Sequence, residues 1–330
     1  MINEILVDTI KIIGERAEEI LNVKRNVNTD LWAKKMSIDL VHEISVYEER
    51  FTSAYNLLED ENSKNIFKWF IKFKIAYAFI GAKAELIFPY TEESYQALKK
   101  LDSINYENIE GFMKCVINGY TIKTTNAVEI YHTWIQNQYS HENNCVPLLD
   151  ENIICGGAFH GETAIWFADK VGERGKIYAF EADPDNFKTL QDNITMNDMN
   201  EIISCQNYGF WNEDKNIYIK KNIIENAASC TEDKNEKSIN GIKIDTFVCR
   251  NNIQQIDFIQ LDIEGAELRA LEGAVETLKR FKPKLAISVY HKKQDIYEIP
   301  IFIKTIVPEY KLYLSHKSVS WYETTLFAVI

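Results

Sequence analysis

Three acids crowd a single glycine in the run Asp257-Phe258-Ile259-Gln260-Leu261-Asp262-Ile263-Glu264-Gly265-Ala266-Glu267. The residues before Asp262 are apolar enough for a buried strand, and the acids fall where that strand gives way to a helix. Neighbouring carboxylates repel one another and resist leaving water, so a cation, a proton or hydrogen-bonding groups must satisfy them. Glu267 fits the first turn of the helix, where an acid complements the dipole. Asp262 and Glu264 fit that explanation less well. Asp262, at the carboxyl end of the strand, is the first candidate for a general base. His291, closing the apolar run KLAISVYH, is the second, because an ordinary imidazole pKa of about 6.5 suits proton transfer at neutral pH. The alternative for His291 is a strand-end side chain bonded to a loop. Glu264 would bind substrate hydroxyls or hold His291. Asp262, Glu264 and His291 could together ligate a divalent ion; nothing in the spacing demands one, and no metal is assigned.

A second cluster lies at Ile153-Ile154-Cys155-Gly156-Gly157-Ala158-Phe159-His160-Gly161, a glycine loop between a strand and a helix. In parallel sheets ligands bind at the carboxyl ends of strands, where glycines let the backbone approach. The next strand ends in Glu181, whose carboxylate can accept hydrogen bonds from an adenosine ribose. NAD and S-adenosylmethionine both carry that ribose. Gly157, Ala158, Phe159, Gly161, Glu181, Ala182, Tyr208 and Asp262 are the candidate cofactor-binding residues. His160 could face the cofactor or cover the loop. Tyr208, Phe210 and Trp211 could stack on an adenine or fill the core. One Tyr-x-x-x-Lys pair, Tyr313 and Lys317, lies in an alternating strand and is read as chance.

These residues need elements to hold them. Up to about residue 140 the pattern is helical: Ile5, Leu6, Ile12, Ile13, Ala17, Ile20 and Leu21 recur near a 3.6-residue period, and similar runs follow at 30–58, 61–88, 92–100, 106–117 and 126–138. The aromatic stretch FKWFIKFKIAYAF is read as a buried core helix, with a dimer face or membrane-surface helix as the alternative. From about residue 150, short β-branched runs alternate with amphipathic ones. Strands are expected at 152–155, 176–181, 202–207, 216–220, 242–248, 256–262, 284–290, 310–316 and 324–330. Near-continuous apolar strands alternating with helices indicate a doubly wound, mostly parallel sheet covered on both faces. The last two strands are close enough for an antiparallel hairpin. The chain thus divides into an all-α domain, 1–140, and an α/β domain, 141–330.

Composition narrows the function. Acids outnumber bases, 49 to 37, which disfavours binding to a phosphate backbone. The 6 cysteines include no CxxC pair, favouring reduced thiols over a disulfide framework or structural zinc. Charged residues interrupt the N-terminal stretch and the apolar segment 66–90, so neither a signal peptide nor a membrane span is expected. The expectation is a soluble, cytoplasmic protein.

The segments GGAFHGET, AFEADPDNF, DFIQLDIEGAELRALEGA, KPKLAISVYH and ETTLFAV, in that order, resemble the FkbM family of S-adenosylmethionine-dependent methyltransferases. The resemblance covers about residues 150–330 and leaves the helices before it unassigned. It implies a seven-stranded Rossmann-like sheet, S-adenosylmethionine as cofactor, and methylation of a hydroxyl on a small molecule or glycan. N-methylation of an amine is the variant; an NAD-linked oxidoreductase and a non-catalytic partner-binding scaffold are the other readings. The helical region would serve acceptor choice or homodimerisation. Where the family has an acid ending the first strand, this chain has Cys155.

Overall fold

The computed structural model describes the chain except residues 23–28, 102–103, 143–144, 222–227, 232, 235 and 320–322, with side chains also left undescribed at 21, 32, 221 and 228–231. Cys230 therefore has a described backbone only.

The first third is helical: α1 (Ile2–Glu15), α2 (Ala17–Asn22), α3 (Leu31–Val46), α4 (Glu48–Asn56), α5 (Glu61–Ile80) and α6 (Glu92–Leu101), with a 3-10 turn at Gly81–Leu86. Asp60 starts α5 by accepting from the Ser63 amide at 2.6 Å. The aromatic stretch falls on α5, where Phe67, Phe70, Phe73 and Tyr77 are buried, as the core-helix reading expects.

The expected helix over 106–117 is instead a meander of β1 (Glu107–Ile109), β2 (Phe112–Ile117) and β3 (Tyr120–Thr124), so the region before 140 is not purely helical. Both turns have two residues with positive φ, Glu110 (49°) with Gly111 (83°) and Asn118 (49°) with Gly119 (89°). Such hairpin turns need only one glycine each. Two side chains four apart, Asn193 on α9 (Pro184–Met196) and Asn197 at its C-cap, pin the free edge of β3. Asn197 accepts from the Thr121 amide at 2.8 Å and Asn193 from the Lys123 amide at 3.0 Å. Their amide groups donate back to the carbonyls of the same two residues, so the pair imitates a neighbouring strand. A short α7 (Ala127–Ile130) and a π turn (Tyr131–Ile135) lead into the sheet.

The main sheet contains β4 (Asn152–Gly156), β5 (Lys176–Phe180), β6 (Ile203–Gln206), β11 (Phe258–Leu261), β12 (Lys284–Ser288), β13 (Lys311–His316) and β14 (Thr324–Val329). Their spatial order is β13-β14-β12-β11-β4-β5-β6. All neighbours run parallel except β14, antiparallel to β12 and β13, which gives the expected C-terminal hairpin. Helices α8 (Glu162–Val171), α9, α11 (Glu267–Glu272), α12 (Val275–Phe281) and α13 (Asp295–Ile306) make the crossovers.

Residues 207–250 differ from the strands expected there. The strand β8 (Asn216–Lys221) belongs to a separate four-stranded sheet with β7 (Gly209–Phe210), β9 (Ala228–Thr231) and β10 (Lys237–Ile242). The expected strand at 242–248 is mostly helix α10 (Ile244–Arg250), whose buried Ile244, Phe247 and Val248 have helical spacing. Asp245 there accepts from the amides of Glu276 and Thr277, fastening α10 to α12. The small sheet packs Trp211, Ile217, Ile219 and Ile239 beneath Ala266, supporting the acid-rich turn from outside.

The N-terminal helices share a core with the sheet. Ile44, Phe51, Phe67 and Ile71 join one apolar cluster with Leu285, Tyr297, Ile299 and Leu312. Leu58 bridges Leu312, and the Leu314 amide donates to Ser63 Oγ at 2.9 Å, so this segment also covers the outer strand's edge. The ring of Phe51 lies 4.5 Å from that of Tyr297 on α13. Phe51→Ala should cost about 3–5 kcal/mol and lower a single melting transition seen alike by circular dichroism and tryptophan fluorescence. Two separate transitions would contradict the shared core.

Candidate functional site

The acid-rich turn is shaped by its backbone before its side chains. The Asp262 amide still donates to Gly156 at 3.1 Å, extending the β11–β4 pairing by one residue. The chain then reverses through Glu264 and Gly265 at φ 55° and 92°. That left-handed step suits Gly265 and costs Glu264, a strain typical of functional turns. Across from it, Gly157 has φ 79°, and a Cβ there would stand 1.8 Å from the Asp262 carbonyl. The glycine loop and the acid turn are in contact because position 157 has no side chain.

Asp262, Glu264 and His291 come together as the sequence suggests. The Nε2 of His291 lies 3.4 Å from Asp262 Oδ1 and 3.6 Å from Glu264 Oε2, while its Nδ1 lies 2.9 Å from Glu267 Oε1. Glu267, read in the sequence as a cap of the dipole, does more. It is fully buried, and its Oε1 accepts from the amides of Ile263 at 2.9 Å and Gly265 at 3.3 Å. It therefore fixes both the turn and the imidazole ring. Burial works against charge on both partners. It is overcome in Glu267 by His291 and the backbone donors, which hold the acid below its ordinary range. In His291 it is overcome by Glu267, Glu264 and Asp262, which hold the imidazole well above its ordinary value.

Two tyrosines aim Asp262. The Tyr139 hydroxyl donates to Oδ2 at 2.8 Å, and Tyr290 approaches Oδ1 at 3.1 Å. Burial, then the charge of Asp262, keeps both phenols protonated as donors. Glu323 lies 3.3 Å from the Tyr290 hydroxyl and 3.6 Å from His132 Nδ1, and accepts from Gln138. Burial and then Asp262 raise Glu323 to about 8, and burial lowers His132 to about 3. Burial likewise raises Glu129 well above its ordinary range. These surrounding residues carry little local signal in the sequence, except that Glu323 is the acid preceding the terminal strand.

The glycine loop closes on β5. The amides of Gly157 and Ala158 donate to the Phe180 carbonyl at 3.0 and 2.9 Å. Phe159, at φ 47°, donates its amide to Glu181 Oε2 at 3.0 Å, and Asp183 donates to Oε1 at 2.8 Å. Burial raises Glu181 to about 8 against those donors. Each of its oxygens keeps a second lone pair. Gly161, at φ 102°, starts α8, where a Cβ would meet Leu190 at 3.0 Å. His160 covers the loop: it is buried, its Nδ1 accepts from the Thr125 amide at 3.4 Å, and its Nε2 lies 3.2 Å from Asn186 Oδ1. Burial lowers it to about 4, leaving a neutral ring that ties the meander to α9. Phe210 and Trp211 fill the core, with Phe210 4.2 Å from Phe180. Ala182 packs against the small sheet and Tyr208 against the larger cluster, beyond the ends of β5 and β6. Cys155 is buried opposite Gln260 and Ala179. Tyr313 lies on β13, and Lys317 donates to the carbonyls of Asn137 and Ser140.

Residues 155–314 match the family described as the methyltransferase FkbM domain. The crystal structure of the methyltransferase FkbM from Methylobacillus flagellatus KT is similar at a TM-score of 0.56 and 20% identity, covering 87% of this chain and 60% of that one. This chain thus spans three fifths of that protein's length, and the likeness is one of fold. Aeropyrum pernix fibrillarin with natively bound S-adenosyl-L-methionine gives 0.40 and 14%, over 68% of this chain and 84% of that one. The O-methyltransferase from Bacillus cereus in complex with SAH gives 0.37 and 13%, over 75% and 94%. No curated protein matches the chain.

The Glu267–His291 pair has a pH signature. The imidazolium stabilises the fold fully below its unfolded pKa of about 6.5, and that contribution is lost as pH rises through the raised folded value. Glu267, held low, contributes above its unfolded pKa of about 4.3 and loses that contribution as pH falls through its folded value. Proton NMR should show the His291 ring titrating above the ordinary range, and Glu267→Gln should move it down. An unchanged titration would contradict the pairing.

Proposed function

The chain carries an FkbM methyltransferase domain over residues 155–314, and from that premise we propose that it methylates a hydroxyl of a small molecule or glycan. The domain match supports reading the chain as an S-adenosylmethionine-dependent methyltransferase. Two observations fit that cofactor: a glycine loop whose backbone comes against the acid turn, and a buried Glu181 positioned by two amides with lone pairs to spare. When bound, the cofactor supplies a methyl group activated on a sulfonium. Gly157, Ala158, Phe159 and Gly161 would hold it, with Glu181, Ala182 and Tyr208 at the adenosine end.

The observation that carries O-methylation is Asp262, a carboxylate at the end of the central strand β11, oriented by two protonated tyrosines. A hydroxyl acceptor must lose its proton as the new bond forms, and Asp262 is placed to take it. His291, kept as imidazolium by Glu267, is a poor base; it holds the Asp262 and Glu264 side chains in place. The buried Tyr139 and Tyr290 cover one side of the Asp262 carboxylate. Positioning and dryness are most of what methyl displacement requires.

The two acids facing His291, Asp262 and Glu264, favour a second reading, an amine acceptor drawn to negative charge. The helices and segment 208–241 serve acceptor choice, and the exposed apolar residues Val7, Ile10, Leu31 and Ile38 offer a surface for homodimerisation. No helix among the described residues is long and apolar enough to cross a membrane. A cytoplasmic setting and an acceptor other than nucleic acid accord with the acidic surface.

S-adenosylhomocysteine should raise the melting temperature and NAD should not; the reverse would favour an oxidoreductase. At 100-fold excess over Kd the gain is about 2.7 kcal/mol. Gly157→Ala should abolish the gain by forcing the two loops apart. Asp262→Asn should retain it while methyl transfer to hydroxylated acceptors falls about 10²–10⁴-fold. Undiminished transfer would remove Asp262 from the role of base.

A further inference from the structure

We propose that Glu323 is a positioning residue for Asp262: as a neutral carboxylic acid it donates to the Tyr290 hydroxyl, which commits that phenol's single proton to the candidate base. Its chemical use rests on the methyl-transfer reading, whereas the hydrogen bonds themselves do not.

Tyr290 stands between two acids. Its hydroxyl oxygen lies 3.1 Å from Asp262 Oδ1, 3.4 Å from Asp262 Oδ2 and 3.3 Å from Glu323 Oε1. A phenol has one proton to donate, and an ionised carboxylate has none. With both acids ionised, one of them presents a bare oxygen to the lone pairs of the phenol. Burial makes that repulsion costly. A proton on Glu323 Oε1 removes the conflict. Glu323 then donates to the Tyr290 oxygen and Tyr290 donates to Asp262, so each of the two contacts holds one proton.

A proton on Asp262 would also satisfy Tyr290, and the neighbours decide which acid is neutral. Asp262 faces the imidazolium of His291 at 3.4 Å and accepts from Tyr139 at 2.8 Å, both of which favour its charge. Glu323 accepts from the uncharged amide of Gln138 and makes no ion pair with a lysine or arginine among the described residues. His132 Nδ1 stands 3.6 Å from Oε1, too far to share a proton, and burial keeps that ring neutral. The other charged groups acting on Glu323 are Asp262 and Glu264 after β11, His291 after β12, and Glu129 on α7. Only His291 among them is positive, and it faces Asp262, Glu264 and Glu267. Burial and then Asp262 accordingly raise Glu323 to about 8.

The consequence falls on the aim of the base. The last torsion of an aspartate is soft, and donors to both of its oxygens restrain it. Tyr139 serves Oδ2 and Tyr290 serves Oδ1, leaving the remaining lone pairs in a fixed direction for an acceptor hydroxyl. Ionising Glu323 would draw the Tyr290 proton away and leave Asp262 with Tyr139 as its phenol donor. Glu323 and Tyr139 both lie outside the matched residues 155–314.

The test is a pH titration of the full chain by NMR, with ¹³C-labelled aspartate and glutamate carboxyl groups and neither cofactor nor acceptor present. The Glu323 signal is the one lost in Glu323→Gln, and the Asp262 signal the one lost in Asp262→Asn. Glu323 should titrate at about 8, and the Asp262 signal should shift in step with it. Glu323→Gln, whose amide donates without titrating, and Tyr290→Phe should each abolish that step, with folding checked by circular dichroism. A Glu323 midpoint in the ordinary range of about 4.3 would overturn the proposal. So would a raised midpoint with no step in Asp262, a result the wild type alone decides. A step that survives in folded Tyr290→Phe would show direct charge coupling and overturn the route through the phenol. Methyl transfer retained by Asp262→Asn would remove the base while leaving these titrations intact, so the two readings fail separately.

Discussion

A carboxylate with no exposed surface, Glu267, is kept charged at the end of the central strand, and the local structure is arranged around that cost. Its oxygen accepts two backbone amides from the turn that precedes it and faces the ring of His291. One side chain thus shapes the turn, starts α11 and sets the direction of the imidazole. The imidazole in turn faces Asp262 and Glu264, so the candidate base is positioned through a chain of charges. Backbone geometry completes the constraint: Gly157 must lack a side chain for the glycine loop to meet Asp262. The small four-stranded sheet, which packs Trp211 and Ile217 under Ala266, closes the turn from beneath.

This arrangement gives the surplus of acid a physical meaning. Glu181, Glu323 and Glu162 are raised by burial to about 8, 8 and 7. Groups with such values exchange protons near neutral pH, and one of them, Glu323, lies 3.3 Å from the Tyr290 hydroxyl that also approaches Asp262. Clusters of perturbed acids at the carboxyl ends of parallel strands are where chemistry is expected in such folds. The N-terminal helices help build that environment. Their apolar faces join the core of α13 and the terminal hairpin, and Tyr139 donates to Asp262.

The sequence made the parallel strands legible because buried strands are near-continuous apolar runs, and their ends carried unusual residues. Gly157, Glu181, Asp262 and His291 fell at such ends. The meander at 107–124 was hidden because two-residue turns require so little glycine. The strand expected at 242–248 became α10 because its buried Ile244, Phe247 and Val248 follow the helical period, which the β-branched residues of the run mask. Glu267 was recognised for its place on a helix, while its partner lay 24 positions along the chain at His291. Tyr139 and Glu323 reach the site from a loop and from the residue before the last strand. Only tertiary packing brings them there, and no local pattern announces it.

The most direct test of the central claim is a crystal structure with S-adenosylhomocysteine bound. The account predicts a ligand lying along Gly157–Gly161, its ribose hydroxyls on Glu181 and its sulfur turned toward the Asp262 carboxylate. A ligand seated elsewhere, or one whose sulfur faces away from Asp262 with the Glu267–His291 contact broken, would contradict it.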